Sequence, residues 1–219
     1  NSIRAEYAPL WYTATGFLTP KILTHNDWRG NMKLISLFVL GVLTVSVSAF
    51  AETMDPIAKA LLAAPNAAMA KDATVIKWKP DFTYEVLKKG SSRMVCYDLT
   101  GWPGERPFSV ECTSSEANLP RVAQNRKLAA MGTAGASNRG KIDDAVAAAA
   151  KDGTRIMSEV GSIWYKFWGN SEATAVRHSF IAMPGKTGKD AGLPEVRDAN
   201  GSWVMFPGTS EAHIMLPGL

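Results

Sequence analysis

The sequence predicts an α+β protein: a mainly antiparallel β-sheet with a few short helices and one disulfide. Three observations lead there. Short β-branched and aromatic runs recur between turn residues in two groups. The helical stretches are gathered between those groups instead of alternating with the strands, which argues against a parallel βαβ sheet. Two cysteines follow an export-type leader, and an even count in that setting reads as one bridge in an oxidising compartment.

Composition narrows the class. The chain has 219 residues, 46% hydrophobic and 20% charged, which lies outside the low-hydropathy, high-charge range of disordered chains. A net charge of +4 is too weak an electrostatic footprint for nucleic acid.

The first element is the leader. Met32-Lys33 is followed by 14 mostly apolar residues, 34–47, then Ser48, Ala49, Phe50 and Ala51 before Glu52. A basic start, an apolar run too short to span a bilayer and a small-x-small site form a secretory signal. Cleavage is expected between Ala51 and Glu52. There is no twin arginine and no cysteine after the run to carry a lipid, so the product is expected free of the membrane. Residues 1–31 precede this signal and are read as translated upstream sequence, because codons for Trp28-Arg29-Gly30 can form a purine-rich ribosome-binding element before Met32. The mature part, 52–219, is then a single domain of 168 residues at net +2.

The folded elements follow in order. Asp55-Pro56 starts a short helix with Ile57, Leu61 and Leu62 at helical spacing, and Pro65 ends it. Residues 73–78 form a β-branched strand. The runs 82–87 and 93–97 flank Lys89-Gly90-Ser91-Ser92 and predict a hairpin. Residues 108–112 form another strand. Cys96 and Cys112 close a loop of about 17 residues, worth roughly 3 kcal/mol in the chain-entropy picture. Residues 119–131 read as a helix, 133–140 as a loop, and the Ala-rich stretch 142–151 as a packing helix stopped by Gly153. Strands are expected at 161–168, 177–183, 202–206 and 212–216.

In this last section a resemblance emerges. Ala191-Gly192-Leu193-Pro194, Gly201-Ser202-Trp203-Val204-Met205, Gly208-Thr209 and Ala212-His213-Ile214-Met215-Leu216-Pro217 resemble the C-terminal signature of an uncharacterised group of secreted bacterial proteins. The group's first histidine strand would match Arg177 to Pro184. The resemblance covers about the last 45 residues and implies secretion, with no activity attached.

Two constellations stand out as candidate sites. His178 and His213 are the histidines of the mature part. His213 and Met215 share a strand face, and with Glu211 they make a candidate site for copper or another transition metal. Trp164 and Trp168 share the face of Lys166, roughly 13 Å apart on a strand, and are candidates for stacking on a ligand ring. Enzyme motifs such as G-x-S-x-G and H-E-x-x-H are missing from the sequence. Gly185-Lys186-Thr187-Gly188-Lys189 lacks the first glycine of a phosphate loop and reads as a basic turn. Asn200-Gly201-Ser202 has the form of a glycosylation sequon but is better read as a turn.

The functional expectation is a secreted, periplasmic, non-enzymatic domain that binds a ligand or an envelope protein, with no cofactor and no nucleic acid. The alternative is a metal-binding protein or hydrolase using His178 and His213.

Overall fold

The computed structural model describes residues 54–132, 139–197 and 201–217. The expected leader, its cleavage site and Asn200 lie outside the described residues, as does most of the expected loop at 133–140. One compact unit, Phe50–Leu219, holds every described residue. The fold is α+β, as expected. Eight strands make one sheet in the order β2-β1-β3-β4-β5-β6-β8-β7.

The chain enters through α1 (Pro56–Leu61) and α2 (Ala67–Asp72). Asp55 and Asn66 cap them, accepting from Ala58 N at 3.1 Å and Met69 N at 2.9 Å, and Pro56 takes the first turn of α1. Strands β1 (Thr74–Trp78), β2 (Tyr84–Lys88), β3 (Val95–Asp98) and β4 (Phe108–Thr113) follow. Then come α3 (Leu119–Gly132) and α4 (Arg139–Lys151), with Gly153 beyond at φ 79°. The second group is β5 (Ile163–Gly169), β6 (Val176–Ala182), the short α5 (Gly188–Ala191), β7 (Trp203–Met205) and β8 (His213–Leu216).

One expectation is corrected. The predicted hairpin across 88–92 does not form. β2 pairs antiparallel with β1, and β3 lies on the other side of β1, parallel to it. The turn is not free to make a hairpin because it is clamped onto the start of β1. Ser91 N and Ser92 N both donate to Asp72 O at 3.0 Å, and Gly90 N donates to Thr74 Oγ1 at 3.0 Å. The chain therefore crosses the start of β1 and continues on its far side as β3. The Ala-rich helix also begins three residues earlier than expected, at Arg139.

The sheet is packed on both faces. Val75, Cys96, Val110 and Cys112 meet Ala60, Ala63 and Ala64 of the α1 segment on one face. Ile76, Val95, Tyr97 and Trp164 meet Leu119 and Val122 of α3 on the other. Cys96 and Cys112 sit directly opposite each other on β3 and β4 and are bonded, with Cα atoms 4.0 Å apart. A third cluster, Met183, Val204 and Ala212, is closed by Ala191 and Leu193. Among the described residues, no helix is long and apolar enough to cross a membrane.

Candidate functional site

The face that carries α3 continues beyond it onto β5, β6, β8 and β7. Strand register decides what it displays. Trp164 lies opposite Phe180, Lys166 opposite His178 and Trp168 opposite Val176. Phe180 lies opposite Met215, and Met215 opposite Trp203. Alternation therefore places Trp168, His178, Phe180, His213 and Trp203 on one side of the sheet.

The two tryptophans share this face, as expected from their spacing, but their fates differ. Trp164 is 2% exposed. Its ring stacks on Phe180 at 5.9 Å and lies under the Arg121 guanidinium at 5.5 Å. It belongs to the core, so its expected role as a ligand-stacking ring is corrected: α3 crosses the sheet at that point. Trp168 is half-buried. Lys166 Nζ lies 4.8 Å and the Arg106 guanidinium 5.3 Å from its ring centre, and His178 meets it edge-on at 5.6 Å. Farther along, Arg197 lies 5.9 Å over Trp203. Arg106 and Arg197 are exposed and carry no ion pair among the described residues.

The predicted metal ligands are not brought together. His213 lies opposite Ala182, four residues along β6 from His178, which is roughly 13 Å of strand. The Phe180 ring packs on His213 at 4.6 Å. His213 Nδ1 donates to Glu211 O at 2.7 Å, which leaves Nε2 as an acceptor beside Phe180 and Phe206. Met215 is buried. The Glu211 carboxylate accepts from Arg121 Nη2 and Arg155 Nη2, both at 2.6 Å. Among the described residues, no group of three His, Cys, Asp or Glu side chains can hold a metal ion.

Below Trp168 lies a buried ionic cluster. Glu105 accepts from Arg126 at 2.6 Å, Lys166 at 2.8 Å and Ser109 at 2.8 Å. Lys166 also reaches Glu111 at 3.5 Å, and Tyr97 donates to Glu111 at 2.8 Å. Burial alone would raise the Glu105 carboxyl, but Lys166 and Arg126 reverse this and hold it at about 2. Glu211 is lowered in the same way: burial opposes, and Arg121 and Arg155 prevail. Burial lowers both histidines. Lys166 and Arg197 add to the effect at His178, and the Glu211 carbonyl opposes it at His213.

These states fix the chemistry available. Glu105 and Glu211 are ionised and bonded to cations, so neither is a proton donor near neutral pH. Both imidazoles are neutral there. What the described residues offer to solvent here is a half-buried ring, a neutral imidazole and two guanidiniums that have no ion pair among those residues.

Glu105, Arg106 and Arg155 carry no signal in the sequence, and Arg126 reads there as part of a mildly basic, solvated stretch with Arg121, Lys127, Arg139 and Lys141. A signal for part of the cluster exists: Glu111 sits alone in the apolar run Phe108–Cys112, and Lys166 sits between Tyr165 and Phe167. A charge in a buried strand requires a partner, but which partner depends on where α3 crosses.

No known family model, curated protein or solved structure matches this chain.

Proposed function

We propose that the chain is an exported, periplasmic, non-enzymatic binding domain. Its ligand is a small organic anion with a flat or ring-shaped apolar part, held on the β5–β8 face. The observation that carries this reading is Trp168 framed by Lys166, Arg106 and His178, with Arg197 on Trp203 farther along the same face. Rings supply apolar area at small entropic cost, and guanidiniums bind carboxylate or phosphate in a fork. Export is supported by the leader at 32–51 and the C-terminal resemblance, and the disulfide suits an oxidising compartment.

Tryptophan fluorescence tests the site. Oligogalacturonate and benzoate are the two probes, one an acidic sugar and one an aromatic carboxylate. At least one should shift the emission saturably at millimolar concentration or below, and Trp168→Ala should abolish the shift. No shift from either probe, or an unchanged shift in the variant, overturns the site. Export is read separately by mass: the protein recovered from the periplasm should begin at Glu52.

A further inference from the structure

At the far edge of the sheet, β2 ends the strand order. Across the turn before it, Lys79 N donates to Thr83 O at 2.8 Å. Antiparallel pairs alternate between bonded and non-bonded positions. Lys77 and Glu85 are therefore the next bonded pair. Tyr84 and Val86, opposite Trp78 and Ile76, turn their backbone N–H and C=O groups outward to the open edge. The two residues are 43% and 52% exposed.

A groove of about 670 Å³ adjoins this edge, between it and the start of α3. Its walls include Trp78, Phe82, Tyr84, Leu119 and Ala123. Phe82 stands at φ 66°, a left-handed conformation that bulky residues rarely adopt. Asp81 holds it there by accepting from Thr83 N at 3.0 Å and Thr83 Oγ1 at 2.6 Å, while Phe82 N donates to Lys79 O at 2.9 Å. The Phe82 ring is thus set at the groove, 6.1 Å from Trp102. Along the edge, Lys77 pairs with Glu85 at 3.9 Å and Lys88 Nζ donates to the carbonyls of Ala70, Lys71 and Ala73, which leaves Lys79 and Lys89 against Asp81.

We propose that β2 and this groove capture an extended segment of another protein. The segment adds a strand at Tyr84 and Val86, places one apolar side chain in the groove, and carries acidic residues at its flanks. Three features select this occupant. Outward backbone groups in strand register bond only an extended chain. The adjoining groove accepts a side chain from that chain. The lysine excess favours acidic flanks and opposes a second copy, which would bring the same lysines to the contact.

Panning random 12-residue peptides on phage against the immobilised full-length protein tests this. Enriched peptides should alternate apolar and polar residues with acidic ends. N-methylation of their alternate backbone amides should weaken binding at least tenfold. Val86→Pro, which removes an outward N–H, and Ala123→Trp, which fills the groove, should each do the same, with thermal unfolding measured for both. Should Val86→Pro fail to fold, the methylated peptides and Ala123→Trp still decide. No enrichment, or binding indifferent to methylation and to Ala123→Trp, overturns the proposal. So does a concentration-dependent dimer that outcompetes the peptides, which would make the occupant a second copy.

Discussion

Glu211 was expected to reach toward a metal, and it instead neutralises two arginines. Arg155 has a side chain 1% exposed and Arg121 one 10% exposed. Removing the carboxylate charge leaves both guanidiniums buried without a counter-charge, a change that costs about 3–5 kcal/mol in comparable buried pairs. Glu211→Gln is therefore expected to lower the urea-unfolding free energy by about that much. A loss under 1 kcal/mol would show that the pair is replaceable by water. At this scale the sequence was legible in kind and not in partner. Lys166 and Glu111 announce themselves as charges in apolar strands. Glu105 and Arg126 do not, because each lies in a segment that reads as solvated until the sheet and α3 close over it. His213 was visible as a residue with polar capacity, yet its Nδ1 bond goes to a carbonyl only two residues away.

Elements were easier to read than their pairing. The cap at Asp55, the strands and α3 follow from local residue order, since each signal lies within a few positions of its effect, whereas α2 with its cap at Asn66 is an element the sequence reading does not contain. The place of β3 does not. Gly90 looked like the centre of a hairpin turn, but it is small for another reason. A Cβ added there would lie 2.3 Å from Asp72 O and 2.4 Å from Ala73 C. These are backbone atoms of the entry to β1, so they cannot swing aside as a flexible side chain would. Gly90→Ala is expected to destabilise by about 1–3 kcal/mol, the range of overpacked sites, and to loosen hydrogen-exchange protection at Thr74. An unchanged melting temperature would show that the crossing is not tight. A parallel β1/β3 pair joined through β2 is decided by this long-range clamp, which no local pattern in 88–92 encodes.

The whole molecule carries its ionic clusters inside, and that sets its pH response. Glu105 titrates near 2 in the folded protein, against an ordinary 4.5. Glu211 is lowered as well. Their stabilisation is complete above the unfolded carboxylate range and is lost as pH falls toward the folded values. Glu105 alone accounts for about 3 kcal/mol by linkage. His178 and His213 act in the same direction from higher up: their folded values lie below the ordinary 6.5, so acid protonates the unfolded chain first. Tyr97 opposes at the other end, because burial and then Glu111 push its hydroxyl well above 10, and stability falls once the unfolded phenol ionises. Unfolding free energy should be flat between about pH 7 and 9 and fall by several kcal/mol between about pH 6.5 and 2.5. A profile flat down to pH 3 would contradict the ionised Glu105 cluster.

The disulfide has a consequence in time. Both sulfurs are fully buried on the face that the α1 segment covers with Ala60, Ala63 and Ala64. Thiol exchange requires direct attack on an accessible sulfur. The finished molecule offers no such access, so oxidation must come before that segment seats. The first of the described helices is thus among the last to dock, and once it has docked the bridge is kinetically sealed against reductants.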